Sequence, residues 1–257
     1  MIVAGKSAVE RRREIHGLLN SNSKLSVIEM SDHFGVSAVT IRKDLRLMEE
    51  EGIVVRGHGV ASQAVGTARY NLARDMSVRS VEKQRIADEA AGMVKEREVI
   101  LLGPGSTCCM LAQRLCKRKN LIIVTNAISF QPYLMIGNDV QLLYLGGEYN
   151  TDNGSTVGSF AVDALNSLSI DRFFIGVTGI TVQTGLSSYN FADTLMIRTM
   201  IERSKQVVVL TDHTKFWHAS AIKIADLSAV DTIITDTGVA PAYVQEFEQC
   251  NVKLIQA

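Results

Sequence analysis

The most constraining feature of this sequence is a pair of short amphipathic segments close to its N-terminus. Apolar residues recur with helical spacing in Val27–Phe34 and in Ala38–Glu50, and only Gly35, Val36 and Ser37 separate the two segments. The second segment is rich in basic residues, and a stretch that predicts a strand and a glycine-rich turn follows it. Two helices, a tight turn and a β-wing are the layout of a winged helix-turn-helix, which places its second helix in the major groove of DNA.

Start and stop signals support this interpretation. Ser26 and Ser37 stand where serine commonly caps a helix N-terminus, and Gly52 stands where glycine commonly ends a helix. We expect an earlier helix over residues 7–20 and a wing strand over residues 53–56. Apolar residues one helical turn apart in the second segment are expected to face a small core, namely Ile41, Leu45 and Met48.

Charge bears on DNA binding only locally in this chain. With 27 basic and 27 acidic residues, the chain lacks the overall positive charge of many nucleic-acid-binding proteins. Residues 37–46 nevertheless contain three basic side chains and only one acid, Asp44. The alternative is that these basic side chains only form a solvated helix face. We expect contacts to phosphates and base edges from Ser37, Ala38, Thr40, Arg42, Lys43 and Arg46 of the helix and from Arg56 and His58 of the wing.

The length of 257 residues fits either one large domain or two ordinary ones. We expect a DNA-binding domain at residues 1–61, a linker at 62–80 and a larger domain at 81–257. The sequence contains no signal-peptide core and no apolar run of about eighteen residues, so we expect a cytoplasmic protein without membrane spans. The four cysteines contain no C-x-x-C pair, and we expect reduced thiols rather than a zinc site or a disulfide framework.

Strands and helices alternate through the larger domain. Apolar runs of strand length are separated, in most cases, by segments of helix length. The runs are 99–102, 121–124, 140–145, 172–177, 207–211, 232–235 and 252–255. Uninterrupted apolar strands that alternate with helices predict an α/β fold with a mainly parallel sheet that is covered on both faces.

The loops that follow these strands contain residues suited to binding an anion with hydroxyl groups. Residues 103–107 offer glycines, hydroxyls and the start of a helix, which suits a phosphate. Asn126 and Asp212 suit sugar hydroxyls, and Lys215 supplies a positive charge. Because the carboxyl ends of parallel strands meet at one edge of a sheet, these loops are expected to converge. The candidate effector site comprises Gly103, Gly105, Ser106, Thr107, Thr125, Asn126, Gly146, Gly147, Gly176, Asp212 and Lys215.

Other kinds of site are not indicated. The loop at 103–107 is neither a Walker motif nor a dinucleotide fingerprint, so ATP and NAD are not expected. The sequence has no G-x-S-x-G elbow and no H-E-x-x-H motif, and its five histidines are scattered. We therefore expect no catalytic residues, no metal site and no cofactor. A simpler alternative for the glycine-rich loops is that tight turns between strands and helices require glycine in any case.

These residues together resemble the DeoR family of bacterial transcription regulators over nearly the whole chain. In the N-terminal part the resemblance rests on Val36-Ser37, residues 40–45, Gly52 and residues 56–59. In the C-terminal part it rests on residues 105–107, 125–126, 145–147, Asp171, Phe174, Gly176, Gly179, residues 185–186, Asp212, Lys215, Phe216 and residues 234–236. The resemblance implies a sensor domain similar in fold to ribose-5-phosphate isomerase. It also implies a repressor of carbohydrate uptake or catabolic operons that responds to a phosphorylated sugar.

The chain departs from the family pattern at two positions. Gly103-Pro104 stands where the family commonly has an aspartate at the start of the first loop. Ile197 stands where a lysine is expected on the helix after Asn190-Phe191. The first change removes a carboxylate that could select a sugar hydroxyl, so the identity of the sugar stays open.

The chain allows two functional interpretations besides a regulator. One is a sugar-phosphate isomerase with an attached DNA-binding module, which requires a pair of acid–base carboxylates in the cleft; Gly103 argues against an intact set. The other is a sugar-binding module whose DNA part is vestigial, which the basic helix argues against. For a regulator we expect a homo-oligomer, either a dimer or a tetramer, because one winged helix covers a short stretch of DNA. We also expect the effector to act through the linker on the spacing of paired DNA modules.

Overall fold

The computed structural model describes residues 8–21, 24–50, 54–57, 60–63, 71–216 and 219–257. The chain divides into two compact units, residues 1–69 and 70–257, and each unit is described by itself. Within the described residues, no helix combines the length and the apolar character that a membrane span requires.

The N-terminal unit is a winged helix-turn-helix, as predicted. Its three strands form an antiparallel sheet in the order β1-β3-β2. The elements in chain order are α1 (Ala8–Ser21), β1 (Leu25–Ser26), α2 (Val27–Phe34), α3 (Ala38–Glu50), β2 (Val54–Gly57) and β3 (Val60–Gln63).

Local hydrogen bonds explain the helix boundaries in this unit. Ser26 and Glu29 form a capping box, in which Ser26 Oγ accepts from the Glu29 amide at 3.1 Å and Glu29 Oε2 accepts from the Ser26 amide at 2.7 Å. Gly35 ends α2 with a left-handed φ of 63°, which glycine adopts at little cost. Ser37 Oγ accepts from the Thr40 amide at 3.2 Å and thereby caps α3. The core contains the three predicted apolar residues of α3, Ile41, Leu45 and Met48, all fully buried.

The C-terminal unit alternates strands and helices. Its strands are β4 (Val99–Leu102), β5 (Leu121–Thr125), β6 (Val140–Tyr144), β7 (Glu148–Asn150), β8 (Ser155–Val157), β9 (Arg172–Gly176), β10 (Gly179–Thr181), β11 (Gly185–Ser188), β12 (Val207–Leu210), β13 (Ile222–Ala225), β14 (Thr232–Thr235) and β15 (Lys253–Gln256). Its α-helices are α4 (Leu72–Ser77), α5 (Ser80–Met93), α6 (Ser106–Leu115), α7 (Ser159–Asn166), α8 (Phe191–Glu202) and α9 (Pro241–Glu248).

A parallel sheet of seven strands organises this unit and confirms the predicted α/β architecture. Its order is β15-β14-β12-β9-β4-β5-β6, and all six pairings are parallel. The chain runs outward from β4 to one edge and then returns to β9 to build the other half. Ligands bind open sheets of this kind at the carboxyl ends of the strands where the order reverses, which here is between β4 and β9.

Two apolar cores cover the two faces of the sheet. Side chains alternate along each strand, so Ile100 and Leu102 of β4 belong to the core with α4, α5 and α6. Leu101 belongs to the opposite core with α7, α8 and α9. The neighbouring Phe173 and Phe174 of β9 divide in the same way. The result is a three-layer arrangement that leaves the loops at the sheet edge to form a site.

Several short elements were not predicted from the sequence. Strands β10, β11 and β13 form a small antiparallel sheet, and β7 and β8 form a hairpin. Helix α4 lies inside residues 62–80, where we expected a linker. Asn71 caps it through a 3.0 Å bond from the Arg74 amide to its side-chain oxygen, and Leu72 packs into the core beside α5 and α6.

Candidate DNA interface and effector site

Helix α3 presents its basic residues to solvent. Its buried side takes up Ile41, Leu45 and Met48, so the opposite side carries the charged residues. Arg42, Lys43 and Arg46 are exposed. The remaining residues proposed for DNA contact lie in the first turn, where Ser37 is exposed and Ala38 and Thr40 are half-buried.

The acid that stands among these basic residues points into the protein. Asp44 is 3% exposed, and its Oδ2 accepts a 2.6 Å hydrogen bond from Arg11 Nε of α1. Arg12 of the same helix lies 3.7 Å from the other carboxylate oxygen. Asp44 is therefore neutralised inside the unit and does not offset the positive charge of the exposed face.

The two wing residues proposed for DNA contact are only partly placed. Arg56 belongs to β2 and pairs with Ala61 of β3, which confirms a strand at the predicted wing. The side chain of Arg56 and the whole of His58 lie outside the described residues. Their contact with DNA stays a prediction.

In the C-terminal unit, the first candidate loop lies where the strand order reverses. The Gly103 amide donates to the Phe174 carbonyl of β9 at 3.0 Å. Gly105 has a φ of 122° and precedes α6 without a side-chain cap, so the first amides of the helix are not occupied by a capping side chain. Ser106 and Thr107 form the first turn of α6. This turn offers backbone amides and hydroxyls to an anion.

Thr125 at the end of β5 and Asn126 just after it make different contacts. The Thr125 hydroxyl donates to the Leu102 carbonyl at 2.8 Å and accepts from the Ala127 amide at 3.0 Å, so it joins the ends of β4 and β5. Asn126 is 1% exposed, and its Nδ2 donates to the Thr156 carbonyl at 2.8 Å. Its buried Oδ1 has no hydrogen-bond partner among the described residues. A buried acceptor of this kind costs about 1–3 kcal/mol, and a hydroxyl donor from a ligand would satisfy it.

The three remaining glycines of the candidate site differ in their surroundings. A Cβ on Gly176 would lie 3.8 Å from the Pro104 carbonyl and 3.9 Å from the Leu210 carbonyl, so Gly176 stands between the first loop and the end of β12. Gly146 is exposed, and a Cβ there would face open space in the described part of the chain. Gly147 has a φ of 130°, and a Cβ there would overlap the Val157 carbonyl. Gly147 is thus required by the close approach of β8.

Asp212 follows β12 at the same edge of the sheet. It is buried, and its Oδ1 accepts from the Thr214 amide at 3.0 Å and from the Thr214 hydroxyl at 2.5 Å. Burial by itself would raise the pKa of Asp212, but Lys215, the Thr214 bonds and Arg79 together hold that pKa below its ordinary value. Asp212 is therefore a carboxylate at neutral pH.

Sequence reasoning missed two basic residues beside Asp212. Arg79 Nε lies 3.8 Å from Asp212 Oδ1. Lys83 of α5 is 8% exposed, and its Nζ donates to the Asp75 carbonyl at 2.5 Å. Burial lowers the pKa of Lys83, while the nearby Asp212 raises it and Lys215 lowers it. The sequence did contain a signal, because Lys83 shares the helical stripe of Ile86, Ala87 and Ala90.

The half-buried His213 and the buried Asp236 form a pair next to this cluster. His213 Nδ1 lies 2.8 Å from Asp236 Oδ1, and the His213 amide donates to Asp236 Oδ2 at 3.0 Å. The bond to Asp236 raises the pKa of His213 against the opposing effect of burial. Asp212, His213 and Asp236 offer ligand atoms within 4.8 Å of one another, which is a spacing that could hold a metal ion. Because Thr214 and Gly238 already donate to the two carboxylates, we assign these groups to loop structure.

Ile197, which stands where the family pattern predicts a lysine, lies on the buried side of α8. Ile197 is 5% exposed and packs in the core that α7, α8 and α9 form against the sheet. An isoleucine there adds apolar contact and brings no charge to the sheet edge. The positive charge at that edge comes instead from Lys83, Arg79 and Lys215.

Comparison with known protein families supports both units. The family model described as the DeoR-like helix-turn-helix domain matches residues 11–64, and that of the DeoR C terminal sensor domain matches residues 78–237. The HTH-type transcriptional regulator GolR of Listeria innocua is 30% identical over 95% of this chain and 96% of its own length. The transcriptional repressor AccR of Agrobacterium fabrum is 32% identical over 90% of this chain and 91% of its own. The glycerol-3-phosphate regulon repressor of Escherichia coli is 28% identical over 88% of this chain and 90% of its own.

Similarity to solved structures is more distant. The sorbitol operon regulator SorC of Klebsiella pneumoniae is 10% identical and aligns over 95% of this chain and all of its own, with a TM-score of 0.42. A D-ribose-5-phosphate isomerase is 20% identical and aligns over 52% of each chain, with a TM-score of 0.39. The family models and the full-length relatives, rather than these structures, establish the assignment. The chain belongs to the DeoR family of transcription regulators.

Proposed function

We propose that this protein represses an operon for carbohydrate uptake or catabolism. A phosphorylated sugar bound in its C-terminal unit changes its affinity for operator DNA. The observation that carries the DNA part is the exposed face of α3, which carries Arg42, Lys43 and Arg46 while Asp44 is buried against Arg11. Relatives named as repressors, including one of a glycerol-3-phosphate regulon, support the regulatory outcome.

On this proposal α3 enters the major groove. Arg42, Lys43 and Arg46 contact phosphates and base edges, and Ser37, Ala38 and Thr40 of the first turn lie against the groove floor or the backbone. Arg56 and His58 of the wing approach the backbone or the minor groove. One such module reads few base pairs, so the protein acts as a homo-oligomer, and the C-terminal unit supplies the contact between copies.

The charge balance at the sheet edge supports an anionic effector. Arg79, Lys83 and Lys215 lie around the carboxylate of Asp212. In our proposal the phosphate lies on the amides and hydroxyls of Gly105, Ser106 and Thr107, within the 103–107 loop. The same loop places Gly103 against β9, and Thr125, Gly146, Gly147 and Gly176 shape the surrounding walls.

On this proposal, polar side chains bind the hydroxyl groups of the sugar through hydrogen bonds. Asn126 Oδ1 accepts a hydroxyl proton, which would satisfy its buried lone pairs. The second oxygen of Asp212 accepts another, and Lys215 supplies a charge-assisted donor. Two hydroxyl contacts and one phosphate contact specify a phosphorylated polyol as the effector class.

Operator binding through α3 is tested by titrating the full chain against the promoter region of its own gene. Arg42→Ala should weaken specific binding about tenfold or more, because a base-reading arginine contributes about 1–3 kcal/mol of discrimination. Arg85→Ala is the matched control, since Arg85 is an exposed arginine on α5 of the other unit. Equal losses in the two variants would remove α3 from the DNA interface.

The effector part is tested by thermal unfolding in the presence of a panel of phosphorylated sugars and the matching unphosphorylated sugars. A phosphorylated ligand should raise the unfolding temperature, and the unphosphorylated form should not. Asn126→Ala should reduce that rise. A panel without any stabilising phosphorylated sugar would contradict the proposed effector class.

An isomerase activity is the second candidate, and we propose that the protein is not an enzyme. Sugar isomerisation needs a carboxylate that is free to move a proton. At this edge, within the described residues, Asp212 accepts two bonds from Thr214, and Asp236 is held by His213 and Gly238. Absence of turnover with pentose and amino-sugar phosphates is the expected result, and turnover that Asp212→Asn abolishes would favour the enzyme.

We place this function in the cytoplasm, where a bacterial regulator meets its operator. The thiols fit a reducing compartment. Cys108 and Cys109 are buried, and burial raises the pKa of each to about 12, so both remain protonated and unreactive at neutral pH.

A further inference from the structure

An exposed apolar side chain stands within the basic face of α3. Val39 is 72% exposed, although it is β-branched and apolar. Counting from Val39, the basic residues Arg42, Lys43 and Arg46 follow at i+3, i+4 and i+7. Residues at these separations share one face of a helix, so Val39 lies on the same stripe as all three cations.

Val39 also occupies the end of α3 that is best placed to reach bases. In helix-turn-helix proteins the N-terminal residues of the second helix contact the base edges. Val39 is the second residue of α3. The charged residues of the stripe lie further along the helix, where their long side chains can still reach phosphates and base edges.

The polar side chains of this first turn already bond to each other. Ser37 Oγ accepts from the Thr40 amide at 3.2 Å and lies 3.0 Å from Thr40 Oγ1. This capping arrangement holds the turn in place. It also leaves the two methyl groups of Val39 as the most exposed side-chain surface between Ala38 and Thr40.

We infer that Val39 determines operator specificity by packing against the C5-methyl group of a thymine in the major groove. Thymine is the one base that presents a methyl group there, and apolar side chains are its usual contact. The stiff χ1 angle of valine in a helix keeps its methyl groups in a fixed position, so little side-chain entropy is lost on contact. The inference rests on the proposed DNA binding by α3. Beyond that proposal, it names Val39 as the contacting residue and thymine as the contacted base.

The test uses the full chain and an operator selected from random duplexes by the wild-type protein. Each thymine of the operator is replaced singly by deoxyuridine, which lacks only the C5-methyl group. At the contacted position the replacement should weaken wild-type binding roughly three- to fivefold, the effect of losing one buried methyl group. Val39→Ala should weaken binding to the thymine operator by a similar factor and should show no further loss with deoxyuridine. Alanine is a good helix former, so this variant keeps α3 intact.

Ile28→Ala is the matched control. Ile28 is 71% exposed and is likewise the second residue of its helix, but it belongs to α2 and lies off the basic stripe. This variant should keep the wild-type preference for thymine over deoxyuridine. The inference is overturned if no thymine replacement affects the wild type, or if Val39→Ala discriminates as the wild type does. A wild-type protein that selects no duplex would overturn the proposed DNA binding and this inference together, whereas selective binding without the methyl effect would overturn this inference alone.

Discussion

At the scale of single residues, the burial of one carboxylate sets the charge of the exposed face of α3. Asp44 is surrounded in sequence by basic residues, and an exposed position would have cancelled part of their charge. Its contact with Arg11 at 2.6 Å instead ties α3 to α1. The same ion pair therefore stabilises the unit and keeps Asp44 from cancelling part of the positive charge on its surface.

Replacing this carboxylate should destabilise the N-terminal unit. Asp44→Asn leaves the buried Arg11 without this charge partner, and breaking a buried ion pair on one side typically costs about 3–5 kcal/mol. Urea unfolding monitored by circular dichroism measures the loss. Asp32→Asn on α2 is the control because Asp32 is exposed, and it should change stability by less than about 0.5 kcal/mol. Similar stabilities for the two variants would show that the Arg11 contact contributes little.

The pair of His213 and Asp236 predicts a specific dependence of stability on pH. The pKa of His213 is raised above its unfolded value near 6.5 by Asp236, and Arg79 and Asp212 act on it in opposite directions. A raised pKa means that the stabilisation is complete below the unfolded pKa and is lost as the pH rises through the folded pKa. The unfolding temperature of wild type should therefore exceed that of His213→Asn by more at about pH 6 than at about pH 8.5. A difference between wild type and His213→Asn that grows with pH would contradict the assignment.

At the scale of secondary-structure elements, two adjacent glycines differ in what their positions require. Residue 147 has no room for a side chain, whereas residue 146 does. Gly147 lies between β6 and β7 with a φ of 130°, and a Cβ there would overlap the Val157 carbonyl oxygen of β8. Gly146, the residue before it, faces open space. The backbone of β8 can approach residue 147 this closely only because that residue has no side chain.

Alanine substitution should distinguish these two glycines. Gly147→Ala combines a left-handed φ with a Cβ that would overlap the Val157 carbonyl, and we expect a loss of about 1–3 kcal/mol or more in thermal or urea unfolding. Gly146→Ala should stay within about 0.5 kcal/mol of wild type. Equal effects of the two substitutions would mean that the hairpin does not pack against residue 147 as described.

The main elements could be predicted from the sequence because their signals are local. All seven strands of the parallel sheet overlap the apolar runs found in the sequence, and the inner strands β4 and β12 are apolar throughout because both of their faces are covered. Strands β10, β11 and β13 were missed because they are three or four residues long and contain no uninterrupted apolar run, and because β11 pairs with β13 across a long stretch of sequence. Helix α4 was missed because six residues are too few to show a helical period.

At the scale of the whole molecule, regulation requires that effector binding and operator binding affect each other. A coupling free energy of about 1–3 kcal/mol is typical and changes affinity by about 5- to 150-fold. Coupling of this kind is reciprocal, so operator DNA must change the affinity for the effector by the same factor. The buried charge of Lys83, near the proposed effector site, offers a way to remove the coupling without changing the proposed DNA interface.

Lys83→Met should separate the two functions. The variant should bind operator DNA as wild type does, because the N-terminal unit is unchanged. It should lose most of the response to the phosphorylated sugar, because the substitution removes one of the three cations around Asp212 that favour an anionic ligand. An interaction with a charged group contributes about 1.5–3 kcal/mol, or about 10- to 100-fold in affinity. Operator titrations with and without the sugar measure this response. Lys95→Met, at an exposed lysine just beyond α5, should respond as wild type does; an unimpaired response of Lys83→Met would place the effector elsewhere.

The sequence by itself determined the two-part organisation, the basic second helix of the helix-turn-helix and the seven parallel strands with their glycine-rich loops. These features follow from residue spacing within one element, which the chain specifies locally. Only the tertiary structure decided that Asp44 pairs with Arg11, that Arg79 and Lys83 join Asp212, and that Asn126 keeps a buried oxygen without a partner among the described residues. Residues of these pairs are separated by 33 to well over a hundred positions, so their meeting depends on how helices and strands pack and not on any pattern along the chain.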